Sequence, residues 1–236
     1  KKTLLEQYSR PRQNGVNAIT IREDDSVIEV RMTNGNNEII IANRNGRAIR
    51  FHEAAVRVMG RTATGVRGIT LDNDGQDEVV GMICIKDLET ESVMVVSEQG
   101  YGKRSEIEDY RKTNRGGKGV KCYKITEKTG NVIGAKAVNE ENEIMMITTE
   151  GIIIRITCAG ISILGRITSG VKLINLDEGV KVAQIAKVRE KLSNGDHEFD
   201  NLEEAMEEVA QESVSEDEEE TEENLIFPTE DSEDDE

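Results

Sequence analysis

Four stretches decide the fold: NGVNAITI at Asn14–Ile21, TGVRGITL at Thr64–Leu71, KGVKCYKI at Lys118–Ile125 and SGVKLINL at Ser169–Leu176. Their Gly-Val pairs begin at Gly15, Gly65, Gly119 and Gly170, so the spacings are 50, 54 and 51 residues. A fixed period of this length marks a repeat architecture, in which no unit buries its apolar face without its neighbours.

Other features recur in the same register. A strand signal follows each junction, as SVIEVRM (26–32), EVVGMICI (78–85), NVIGAKAV (131–138) and VKVAQIAKV (180–188). Apolar runs then appear at 38–42, 92–96 and 143–147, followed by turns with basic strand ends, NGRAIR (45–50), QGYGKR (99–104) and EGIIIR (150–155). Alternation is visible in Val27, Glu29 and Arg31 against Ile28, Val30 and Met32, whereas a continuous run such as 144–147 predicts a strand buried on both faces. Each repeat thus reads as about four short strands divided by Gly and Asn-Gly turns. The expected fold is all-β, a propeller-like array of four-stranded blades over residues 1–189, with about three and a half blades present.

The composition agrees. Two prolines, no Trp and three Phe accompany many Ile and Val, a balance that suits β-branched strand cores. Cys84, Cys122 and Cys158 form no C-x-x-C pair and only His52 and His197 accompany them, which excludes a zinc site by ligand spacing and leaves the thiols as small core residues. No apolar stretch reaches membrane-spanning length, and KKTLLEQYSR lacks an initiating Met and an apolar signal region, so the chain is expected to begin inside a larger protein.

Net charge is −17, but it is unevenly placed. Residues 190–236 hold 22 acidic residues and one basic, a net of −21, and residues 1–189 hold 25 acidic and 29 basic, a net of +4. The tail carries a capping-box pattern at Asp200 and Glu203 with Leu202, Ala205, Met206 and Val209 at helical spacing, predicting a short helix over 201–210. Beyond it, SEDEEETEEN and TEDSEDDE are expected to be disordered, with LIFP (225–228) a small apolar patch between them. Such a tail either solubilises the chain or competes with a polyanion for the basic part.

The basic residues follow the repeat. Arg61, Arg115 and Arg166 stand four positions before a Gly-Val pair, and in the first copy Pro11 takes that slot between Arg10 and Arg12. Arg67, Lys121 and Lys172 follow the pairs. The densest copy runs from Arg111 and Lys112 through Arg115, Gly116, Gly117, Lys118 and Gly119 to Lys121, five cations and three glycines within eleven residues. Glycines let the backbone come close to a partner, and their free N–H groups with flanking Arg or Lys suit phosphate oxygens. Turn-forming glycine and solvated arginine alone would satisfy any β-array, but this copy exceeds what a turn requires. Repetition of the loop would present cations at intervals to a curved polyanion, which makes double-stranded DNA the expected partner.

Enzyme signatures fail. RGGKGVK has Gly119 where a P-loop needs Ser or Thr, and Gly100-Tyr101-Gly102 lacks the third glycine of a dinucleotide loop. Of Tyr8, Tyr101, Tyr110 and Tyr123, none has an Arg–His activating set beside it; they read as packing residues, with Tyr110 next to Arg111 the one placed to touch DNA.

GRTATGVRGI (60–69), QGYGKR (99–104) and EIMMITTEGIIIRI (143–156) resemble the C-terminal domain of the DNA gyrase A subunit, over residues 1 to about 189. The resemblance implies a β-pinwheel that wraps DNA, and thus a fragment of a type IIA topoisomerase that introduces negative supercoils. It further implies, as partners in an A2B2 heterotetramer, the gyrase B subunit together with the remainder of the gyrase A subunit. ATP and Mg2+ are expected on the B subunit, with no cofactor and no catalytic residue in this chain, and the location is expected to be cytoplasmic and chromosome-associated. The family's signature heptad reads Q-R-R-G-G-K-G; Thr113–Gly119 reads TNRGGKG and keeps its last five residues. Two readings stand beside it. One is the C-terminal domain of the topoisomerase IV A subunit, and the other is a protein-binding propeller scaffold, for which DNA binding would show little salt dependence.

Overall fold

A computed structural model of the chain describes residues 1–72 and 75–188; the acidic tail at 190–236 and its expected helix over 201–210 lie outside the described residues. The described part is all-β, with four single-turn 3-10 segments as its helical content. Among these residues no helix is long and apolar enough to cross a membrane.

The expected apolar runs form hairpins. Strands β1 (Glu38–Asn43) and β2 (Arg47–His52) pair antiparallel across the Asn-Gly turn. Strand β3 (Val79–Ile85) then returns to the free edge of β1. The next hairpin, β4 (Ser92–Ser97) and β5 (Tyr101–Glu106), is followed by the two-residue β6 (Val120–Lys121) and by β7 (Val132–Val138). The last hairpin is β8 (Glu143–Thr148) with β9 (Ile153–Thr157), after which come β10 (Val171–Lys172) and β11 (Val182–Lys187).

The sheets do not coincide with the repeats. Their orders are β3-β1-β2-β6, β10-β5-β4-β7 and β11-β8-β9. Each hairpin takes its third strand from the following repeat, and the first two take a fourth from the Gly-Val junction of the repeat after that. Val120 thus pairs with Ala48, and Val171 with Gly102. The expectation that one repeat supplies one four-stranded blade is therefore corrected: the blades are interleaved, because a hairpin's two outer edges need pairing from strands that arrive later in the chain.

The segment 26–32 departs from expectation in the same way. It forms no strand, and Val30 and Met32 are 78% and 68% exposed. Its counterparts β3 and β7 each pair with a preceding hairpin, and residues 1–25 contain none. The junction segments 14–21 and 64–71 likewise form no strand.

Side chains alternate between two cores, as the period of two requires. Val93 and Val95 of β4 join Ile40, Ala42, Ile83 and Ile85 of the first sheet. Met94 and Val96 face the other way, with Ile144, Met146, Val182 and Ile185 of the third. The continuous apolar run of β4 is thus buried on both faces, all six of its residues being buried. The run 144–147 in β8, expected to be buried on both faces, instead alternates: Ile144 and Met146 are buried and Met145 and Ile147 half-buried, because β8 belongs to the last of the described sheets. Cys122 and Cys158 are fully buried core residues, and burial pushes the Cys122 thiol up to about 12.

Glycine is required where a junction crosses an earlier hairpin. Gly119 and Gly170 have φ of 69° and 75°, and a Cβ on either would come within 3.0 Å of a backbone oxygen, that of Ala48 or of Gly102. Gly15 has φ 75° with nothing within 4 Å. A left-handed backbone costs an L-residue about 1–2 kcal/mol, so Gly15→Ala should lose about that much. Gly119→Ala adds steric overlap and should lose about 3 kcal/mol or more, measured as the difference between their urea-unfolding free energies.

Candidate nucleic-acid interface

The junction arginines are held by backbone carbonyls 44–60 residues earlier in the chain. Arg115 donates from Nε to the Ala55 carbonyl and from Nη1 to the Arg67 carbonyl, each at 2.9 Å. Arg166 repeats the pattern one unit on, with Nε to the Asp109 carbonyl at 3.0 Å and Nη1 to the Lys121 carbonyl. Arg61 donates from Nη1 to the Asn17 carbonyl at 3.1 Å. All three are half-buried. A guanidinium has five N–H donors in a fixed fork, so these contacts leave others for a ligand.

The cations after each pair are exposed: Arg67, Lys121 and Lys172 occupy the same place in successive repeats. Arg10 and Arg12 are exposed as well, in the slot where Pro11 replaces the arginine. The TNRGGKG copy divides. Arg111 and Lys118 are exposed and line a cleft of about 270 Å³ with Arg50, Asn114, Gly117 and Gly119. Lys112, though exposed, is ion-paired with the buried Glu38. Gly116 donates its N–H to the Gly68 carbonyl at 2.5 Å, and its own carbonyl accepts from Thr70 Oγ1 at 2.6 Å. The Gly117 carbonyl accepts from the Thr70 N–H at 2.9 Å. The expectation of a free N–H for phosphate is thus overturned at Gly116, because 68–70 of the preceding repeat takes it. Tyr110, expected beside DNA, is fully buried.

A second set of cations is internal, at the basic segments of the first two hairpins, whereas Arg155 of the third is exposed and paired with Glu143. Arg50 donates from Nη1 to the carbonyls of Ile107 at 2.8 Å and Tyr110 at 3.1 Å, and pairs through Nε with Glu38. Arg104 reaches the Ile161 carbonyl at 2.8 Å in the next repeat. Lys103 is 0% exposed and its Nζ donates to the carbonyls of Gly165 at 2.8 Å and Arg166 at 2.5 Å. Burial lowers its amine to about 8. Their sequence signal was the recurrence of a cation at a strand end, where position on the β-ladder decides burial. Burial raises the Glu38 carboxyl, but hydrogen bonds from Lys112 and Arg50 outweigh it and hold the group below its usual 4.5.

Comparison with known proteins gives a consistent result. The model of the DNA gyrase C-terminal domain, a β-propeller, matches residues 1–34, 37–86, 91–139 and 142–189. The DNA gyrase A subunit of Staphylococcus aureus strains MRSA252 and NCTC 8325 is 47% identical over 190 residues, 80% of this chain and 21% of the relative. The chain therefore spans about a fifth of the length of these curated relatives. Among solved structures, the C-terminal domain of DNA topoisomerase IV aligns with a TM-score of 0.73 and 26% identity, covering 79% of this chain and 58% of that one. The DNA gyrase A C-terminal domain aligns with a TM-score of 0.67 and 28% identity, covering 75% and 59%.

The Glu38 cluster has a measurable signature. Because its folded value lies below the unfolded one, Glu38 contributes fully above about 4.5 and loses its contribution as pH falls through the lower folded value. Glu38→Gln leaves Arg50 buried without its counter-ion and should cost about 3 kcal/mol at neutral pH. In chemical denaturation across pH, the gap between parent and variant should close below about 4.5.

Proposed function

Because the chain belongs to the DNA gyrase C-terminal domain family of β-propellers, we propose that it binds duplex DNA along its row of exposed cations and bends the duplex around itself. The observation that carries this reading is the placement of Arg67, Lys121 and Lys172, one exposed cation at the same position of three successive repeats. Arg10, Arg12, Arg111 and Lys118 add to the row, whereas Arg61, Arg115 and Arg166 each commit part of the guanidinium to backbone carbonyls. Lys112 is the weakest member, since its charge is balanced by Glu38.

Recognition by such a surface is of phosphate and bendability, with little base readout. Bending a 20–30 bp site by 40–90° costs of order 1–6 kcal/mol, which repeated phosphate contacts offset. Within the whole protein this is the DNA-wrapping part of a gyrase A subunit, joined to the rest of that polypeptide and to the B subunit in an A2B2 enzyme that supercoils DNA negatively. ATP and Mg2+ belong to the B subunit, and the assembly works in the cytoplasm on the chromosome. The 0.73 TM-score to the topoisomerase IV domain favours one alternative, the same role in that enzyme's A subunit.

The acidic tail acts in this reading as an intramolecular competitor for the cations, motivated by its net −21 against +4 in residues 1–189. With about six phosphates neutralised, the salt exponent should be about −5 and affinity should fall roughly 10³-fold between 50 and 200 mM salt. Fluorescence anisotropy with a labelled duplex measures this, and salt-independent binding would reject the reading. Deleting residues 190–236 should tighten binding at low salt; unchanged affinity would remove the tail from the mechanism.

A further inference from the structure

Arg61, Arg115 and Arg166 read in the sequence as phosphate ligands, yet their guanidinium groups are anchored on backbone of the repeat before. The anchoring is periodic. Ala55 and Asp109 close the equivalent 3-10 turns Glu53–Ala55 and Ile107–Asp109, and each gives its carbonyl to the Nε of the next repeat's arginine. Arg67 and Lys121 stand two residues after Gly65 and Gly119, and each gives its carbonyl to the Nη1 of that same arginine. Asn17, two residues after Gly15, does so for Arg61. The Arg166 carbonyl is gripped in turn by the buried Lys103 amine.

The gripped residue is also the one that presents the exposed cation. Arg115 holds the backbone of Arg67, and Arg166 holds the backbone of Lys121, while both held side chains stay exposed. We infer that Arg115 and Arg166, each four positions before a Gly-Val pair, are positioning residues: each joins adjacent repeats and fixes the distance and angle between successive phosphate-binding cations, so that it governs how far DNA is bent more than how many phosphates are bound. This inference rests on the DNA-bending reading above.

Charge and geometry separate in an Arg→Lys change. A lysine keeps the positive charge but has no planar fork to span two carbonyls on different segments. A phosphate ligand tolerates that change, because an ammonium serves phosphate well as a point charge. A joint does not.

The experiment uses the full chain, a linear duplex with a fluorophore at each end, and two readouts: the slope of log affinity against log salt, and energy transfer between the duplex ends at saturating protein. Arg115→Lys and Arg166→Lys should keep the parent slope and lose end-to-end transfer. Lys121→Gln and Lys172→Gln should lower the slope by about 0.9 each and keep the transfer at saturation. Arg115→Lys or Arg166→Lys with parental transfer, or with slope and transfer falling together, overturns the inference. If either lysine variant loses its β-sheet circular dichroism, the other decides alone by the same two readouts. A parent chain without salt-dependent binding, or without transfer, instead defeats the DNA-bending reading itself.

Discussion

A two-stranded hairpin leaves a row of N–H and C=O groups open on each outer edge, and burying such rows without partners is costly. Here the edges of β1 and β2 are closed by β3 and β6, and those of β4 and β5 by β7 and β10. Every one of these closing strands comes from a later repeat. The requirement that edges be paired therefore ties each of these two hairpins to the next two units, and the positions of the glycine-rich junctions follow from it. Gly119 and Gly170 lie against the backbone of an earlier hairpin because their junctions must reach that edge.

The charges fall into an inner and an outer class for the same reason. Lys103, Arg104 and Arg50 lie within the second strand of a hairpin, where the next repeat's turn packs over them and offers carbonyls. Lys121 and Lys172 lie in two-residue strands and Arg67 in a junction segment that forms no strand, and all three stay exposed. Arg61, Arg115 and Arg166 lie between, half-buried, with part of each guanidinium committed to backbone. A row of cations spaced by folded units, and not by a flexible chain, can meet a bent duplex without first being ordered.

Much of this was legible in the sequence. The period of the Gly-Val pairs located the repeats, and the apolar runs at 38–42, 92–96 and 143–147 became β1, β4 and β8 with little change. The interleaving was not legible, since period and alternation show that a segment is a strand but not which strand it pairs with. Val27 to Met32 shows the consequence: its alternation is as clear as that of β3, yet without a hairpin beside it no strand forms. The cation row was legible as a set of positions, whereas burial of Tyr110 and the commitment of the Gly116 N–H depend on contacts between units about fifty residues apart.

In the proposed function the basic residues divide their labour: anchored arginines set the spacing of exposed cations that carry the phosphate contacts. The most direct test is a structure of the chain bound to duplex DNA. Phosphate oxygens should lie beside Arg67, Lys121 and Lys172, with Arg115 still bonded to the carbonyls of Ala55 and Arg67. Arg115 and Arg166 released from those carbonyls and turned onto phosphates, with Lys121 and Lys172 left in solvent, would contradict it.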